Sequence, residues 1–284
     1  MMRPFIERVR SGVPIVGDGA LGTMLIARGL PAGVPPETFN LERPEIPEAI
    51  AREYVEAGSE VVSTNTFGAS PLRLAQHRLD GSTEAINRAA VEAVRRAVNG
   101  RAYVAGDVGP SGRVLKPYGD CDHADAQASY ERQARALAAA GVDLFYVETM
   151  TDITEATIAV RALRSVAANI PVVATMTFDK TRRGFFTVMG TSIAQAAREL
   201  TAAGAEVVGS NCGNGIDTMI EIAREFRAQT PWPLAIQSNA GLPERRGGAL
   251  VYAEGPDYTA ERASALAALG VALIGGCCGT TPAH

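Results

Sequence analysis

The 284-residue chain has no apolar run near the roughly 20 residues that a membrane-crossing helix requires. Its opening, MMRPFIERVRSG, carries no apolar segment of the kind that directs export, so the expected location is cytoplasmic and no membrane partner is expected. Positive charge is also short. With 27 Lys and Arg against 31 Asp and Glu, the net charge is −4, which leaves no basic footprint for nucleic acid. Cysteine is scarce, and four residues are too few for a disulfide scaffold at this length. Two of the four are adjacent, which in a reducing compartment points to metal or thiol chemistry. One glycine motif is present but weak alone: GDGALG after the first apolar run has the spacing G-x-G-x-x-G, which marks a dinucleotide site only in the context of a βαβ unit that binds one.

What the chain does contain is a regular alternation. Eight short apolar runs recur: PIVGDG, EVVSTNT, YVAGDVG, DLFYVET, VVATMTF, EVVGSNC, LAIQSNA and ALIGGCC. Between them lie Ala/Glu/Arg-rich stretches with helical periodicity, among them 125–140, 153–168, 192–203, 219–229 and 259–269. Four helical stretches end in glycine and pass straight into an apolar run, at Gly58, Gly141, Gly204 and Gly270, as expected for left-handed C-caps. Continuously apolar strands imply a parallel sheet buried on both faces, and eight strand–helix units predict an α/β fold of the (β/α)₈ TIM-barrel type. The runner-up is an open doubly wound sheet, for which the glycine spacing of GDGALG is a weak local signal. The expectation is a single domain over 1–284. The sequence stops at GTTPAH, where an eighth helix is expected, so the chain is read either as truncated before that helix or as the first module of a longer polypeptide.

In a barrel of this kind the active site lies where strands end. Polar and thiol groups gather there: Asp18, Asn65, Asp107, Glu148, Asn211, Cys212, Asn239, Cys277 and Cys278 each close one of the apolar runs. Adjacent residues in a strand point to opposite faces, so Cys277 and Cys278 can meet one ion only where the strand breaks, and Gly275, Gly276 and Gly279 permit a break. With Cys212 they make three thiolates with a fourth position open, the pattern of a catalytic zinc site on the C-terminal rim. The plain alternative, small buried apolar cysteines, suffices for any one of them but not for three at matching strand ends. Cys121, in GDCDHAD, lies away from a strand end and is expected to be a bystander, with His123 at the surface. A zinc already rich in sulfur leaves an entering thiolate nucleophilic, which suits alkyl transfer to sulfur better than hydrolysis. Asp107 and Glu148 could receive the ammonium of an amino-acid substrate; the alternatives are capping of loop amides or general acid–base work. Gly17, Gly19 and Gly22 would let backbone N–H groups approach a carboxylate, or simply make a turn.

Taken together, GDGALGT (17–23), TNTFGAS (64–70), GDVGPSG (106–112), VET (147–149), MTFD (176–179), NCG (211–213), SNAG (238–241) and GGCCGTTPAH (275–284) resemble the homocysteine S-methyltransferase family. The resemblance is nearest to the homocysteine-binding module of cobalamin-dependent methionine synthase. It implies a zinc barrel in which Cys212, Cys277 and Cys278 hold the metal. Glu148 and Asp107 would receive the homocysteine amino group, and backbone amides around Gly19, Ala20 and Gly22 its carboxylate. Asp18 and Asn65 fall within the matching segments and are counted with the substrate site, and Asn239 would contact the metal or fill its open position. Methylcobalamin on a corrinoid protein or module is the implied methyl donor. Members that use betaine carry a tyrosine where this chain has Gly68, and capture of a quaternary ammonium needs an aromatic wall. S-methylmethionine is the main competing donor. Two other functions stand beside this one: a non-catalytic thiol-binding subunit of a corrinoid system, and a thiol redox protein, the latter weakened because adjacent cysteines make a strained disulfide.

Overall fold

The computed structural model describes residues 2–246 and 249–284. Eight parallel strands carry the fold: β1 (Ile15–Val16), β2 (Val61–Ser63), β3 (Tyr103–Val108), β4 (Leu144–Met150), β5 (Val172–Met176), β6 (Val207–Asn211), β7 (Leu234–Ser238) and β8 (Val271–Gly276). Each pairs with its sequence neighbour, and β1 pairs with β8. A parallel bridge between Gly17 and Val61 joins β1 to β2, closing the sheet into a (β/α)₈ barrel. The eight strands are those read from the sequence, in the same order.

The major outer helices are α1 (Glu45–Glu56), α2 (Thr83–Val98), α3 (His123–Ala140), α4 (Ile153–Val166), α5 (Ile193–Ala203), α6 (Ile216–Gln229) and α7 (Pro256–Ala268). The expected glycines do end helices: Gly58, Gly141, Gly204 and Gly270 have φ of 109°, 90°, 113° and 70°, a region that costs a side chain free energy and glycine almost none. Past β8 the chain runs through Thr280 and His284 without a further helix, and a cleft of about 430 Å³ bordered by Val16, Ala263 and Ile274 lies on that side.

Two apolar layers result. One lies between strands and helices. The other fills the barrel interior with Ile15, Val61, Tyr103, Ala105, Leu144, Tyr146, Val173, Val207, Ala235 and Leu273, plugged from below by Phe5 and Val9 of a short N-terminal helix. Because side chains alternate along a strand, the residues two beyond the last interior apolar ones also point inward. That step turns the interior polar: Asp107 stands two after Ala105, Glu148 two after Tyr146, Asn211 four after Val207 and Gln237 two after Ala235. Two antiparallel hairpins not foreseen in the sequence, Asp179–Thr181 with Gly184–Phe186 and Glu244–Arg246 with Ala249–Val251, rise from the same end.

Candidate functional site

A cavity of about 390 Å³ opens over the polar layer. Asp18, Asn65, Asp107, Glu148, Cys212, Cys277 and Cys278 line it, so seven of the rim residues singled out in the sequence share one space.

The three thiols come from two turns. Cys212 leaves β6 in the left-handed conformation, φ 61°, with its N–H on Gln237 O at 3.1 Å. Cys277 donates its N–H to Ser238 O at 2.6 Å, and its carbonyl accepts from the N–H and hydroxyl of Thr280 at 3.1 and 2.7 Å. That turn breaks the strand alternation, helped by Gly279 at φ 81°, and swings Cys278 to the same side as Cys277. The Cys212 and Cys278 sulfurs are 3.8 Å apart, and all three sulfurs lie within 4.8 Å of one another. Ligands about 2.3 Å from a tetrahedral zinc sit about 3.8 Å from each other, so the triad matches the donor set and spacing of such an ion. Hydrogen bonds from Cys277 and Cys278 push the Cys212 thiol far down, while the same contacts push the other two up. Asn239, buried beside it, bonds to Cys212 through its side chain, and its Oδ1 has no hydrogen-bond partner. Cys121 lies elsewhere, packed with Leu115 and Ala126, and the exposed His123 contacts Lys116 O.

Opposite the thiols stand three acids, Asp18 and Asp107 buried and Glu148 half-buried. Burial pushes the Asp18 carboxyl up to about 7 despite a 2.6 Å hydrogen bond from Ser63 N–H. Burial, then Asp18 and Cys212, push Glu148 up to about 8. Asp107 rises well above the ordinary range through burial and the nearness of Glu148, and its Oδ1 has no partner. Among the described residues none of the three is in an ion pair with Lys or Arg, so the cluster is short of one cation. A ligand ammonium would supply it.

The other expected positions differ in what they have left to offer. Gly19 is required by packing, since a Cβ there would lie 2.5 Å from Thr280 Oγ1 and 2.8 Å from the Tyr54 hydroxyl. The Ala20 N–H, expected to receive a carboxylate, already donates to Thr280 Oγ1 at 3.0 Å. Gly22 opens a short helix, Gly22–Ala27, whose first-turn N–H groups have no partners within the helix. Asn65 gives its amide to Pro36 O and Asn40 Oδ1 at 2.7 and 2.9 Å, tying the loop after β1 to the rim. At Gly68 a Cβ would meet Glu37 Oε1 at 2.7 Å, so a larger residue there would displace that carboxyl; one aromatic residue, Phe67, lines this wall. Glu37 itself is buried in the cavity wall, bonded by Gly68 N–H at 2.7 Å, and sequence reading missed it because it lies mid-loop rather than at a strand end.

Comparison with known proteins agrees with this geometry. The family model for homocysteine S-methyltransferase matches residues 15–284. The methionine synthase of Mycobacterium tuberculosis is 33% identical over 95% of this chain, and that of Mycobacterium leprae 32% identical over 95%. The chain spans 24% of the length of each. Among solved structures, the metallated form of the homocysteine methyltransferase MmuM from Escherichia coli superposes with a TM-score of 0.82 at 24% identity, covering 99% of this chain and 97% of that one. Matched over nearly its whole length, the chain belongs to the homocysteine S-methyltransferase family.

Proposed function

We propose that this enzyme uses zinc, held by Cys212, Cys277 and Cys278, to transfer a methyl group to the thiol of homocysteine, giving methionine. The observation that carries the reading is the meeting, in one cavity, of three thiols at metal-ligand spacing with three acids, two of them buried, that lack a cation among the described residues. When bound, zinc supplies a Lewis acid that keeps an entering fourth thiol deprotonated near neutral pH. Glu148 and Asp107, with Asp18 beside them, receive the substrate ammonium, and the start of the Gly22–Ala27 helix faces the carboxylate role. Held at both ends, the sulfur is oriented for in-line attack. The C–S bond forms as the methyl–donor bond breaks, the electron pair leaving with the donor and the thiol proton passing to solvent.

The donor we infer is methylcobalamin, brought by a corrinoid protein or module, with residues 1–284 acting as one homocysteine-binding module in the cytoplasm. Two features support this. The chain is similar to methionine synthases over a quarter of their length, and among the described residues Phe67 is the one Phe, Tyr or Trp lining the cavity, too little beside Gly68 to cage a quaternary ammonium. Purified protein should hold about one zinc and demethylate methylcobalamin only when homocysteine is present. Methylcobalamin, S-methylmethionine and betaine are compared at equal concentration by the methionine formed. Betaine as the best donor would remove the corrinoid partner, and no methionine from any donor would leave a thiol-binding subunit.

A further inference from the structure

Glu148 sits at an irregularity. The pairing of β4 with β5 shifts register between Val147 and Met150, and Thr149 within that bulge has φ 58°. A β-branched residue is an outlier in the left-handed region, and bulges near active sites re-aim side chains. The other strained non-glycine turn at the site is Cys212, at φ 61°. One residue joins the two, next to the second in the chain and bonded through its side chain to the first. Asn211, the residue before Cys212 and fully buried, accepts the N–H that the bulge frees from Thr149 at 2.7 Å and the Thr175 hydroxyl at 2.8 Å on Oδ1. Through Nδ2 it donates to Glu148 Oε2 at 2.9 Å and Thr149 Oγ1 at 2.7 Å, and it lies 3.9 Å from Cys277 Sγ. Its amide orientation is fixed, because only an oxygen can face the Thr149 N–H.

We infer that Asn211 is a positioning residue: one amide clamps the strained bulge that aims Glu148 and sets that carboxylate at a fixed offset from the thiol triad. This rests on the reading of the cavity as the homocysteine site. A strained conformation persists only where its surroundings over-determine it, and here two hydrogen bonds to Thr149 and one to Glu148 meet on a single rigid group. A buried apolar residue at 211 would leave the Thr149 N–H without a partner.

The test separates the two halves of the amide. Asn211→Asp keeps the oxygen facing Thr149 and Thr175 but replaces the donor to Glu148 with a second carboxylate. Homocysteine affinity, measured by calorimetry on the zinc-loaded protein, should fall at least tenfold while zinc stoichiometry and melting temperature hold. In the Glu148→Gln background the same substitution should cost little, because the amide introduced at position 148 can donate to the carboxylate introduced at position 211. Equal loss in both backgrounds would overturn the link to Glu148. If Glu148→Gln alone leaves affinity unchanged, the ammonium is held elsewhere and the functional reading fails instead. The clamp is still decided without ligand: Asn211→Ala should lower the melting temperature, and Thr149→Gly, which accepts positive φ freely, should recover part of that loss. A Thr149→Gly effect of the same size with and without Asn211 would overturn the clamp.

Discussion

The two walls of the cavity are built by opposite means. Asp107 and Glu148 each stand two residues past an interior apolar side chain, so counting along the strand brings them to the rim, with Glu148 at the edge of the bulge that ends the β4 register. The thiols arrive where regularity ends, at Cys212 with its positive φ and in the turn of Cys277 to Thr280. Both walls gather like groups that repel or compete for protons. The acids lack a cation among the described residues, and the hydrogen-bonded thiols push Cys212 down and Cys277 and Cys278 up. The acid wall is thus prepared for a compact organic cation that comes and goes with the substrate, and the thiol wall for a soft ion that stays.

The contrast is tested most severely at the thiols. Cys212→Ala, Cys277→Ala and Cys278→Ala should each abolish zinc binding and turnover, whereas Cys121→Ala should change neither; metal analysis and activity assays check this. Full zinc retention in Cys277→Ala would end the assignment. The acid wall should respond more mildly. Glu148→Gln should keep the metal yet weaken homocysteine by roughly ten- to a hundredfold, the effect of losing a charge-assisted hydrogen bond worth about 1.5–3 kcal/mol. Zinc loss in this variant would mean that the two walls are not separable.

The smallest effect concerns proton balance. Asp18 is raised from 3.8 to about 7 in the folded protein, so between those values the folded state holds a proton that the unfolded chain has released. Stability therefore falls as pH rises through this window, the opposite of an ion-paired carboxylate. Melting temperatures of the ligand-free protein from pH 4 to 8 should decline, and Asp18→Asn should flatten the decline. Saturating homocysteine should flatten it too, by placing an ammonium among the acids.

Most of the barrel was legible because parallel strands buried on both faces leave unbroken apolar runs, and because glycine is the cheapest way to end a helix at positive φ. The rim residues followed from counting to the strand ends. What remained hidden depends on partners distant in sequence. The Ala20 N–H is taken by Thr280, 260 residues away, and Asn65 spends its amide on the loop around Pro36. The hairpin strands, Asp179–Thr181 with Gly184–Phe186 and Glu244–Arg246 with Ala249–Val251, pair outside the barrel, and one strand of each, DKT and ERR, is wholly polar. Asn211 was visible as a strand-end residue, but its role lies in the bulge at Thr149, which nothing in the apolar pattern of DLFYVET announces.

The seam where β1 meets β8 bears on how the protein is made. Asp18 follows the first strand and Cys277 the last, and Asp18 O receives the N–H of Gly276 across that seam at 2.8 Å. Cys278 leaves the ribosome 66 residues after Cys212. Until then the nascent chain offers a growing cluster of acids and a single site thiol, so on the proposed reading a three-thiol metal site exists only once the last strand has been made. A chain cut short in its last strand would lose two of the three site thiols and the β1–β8 seam together.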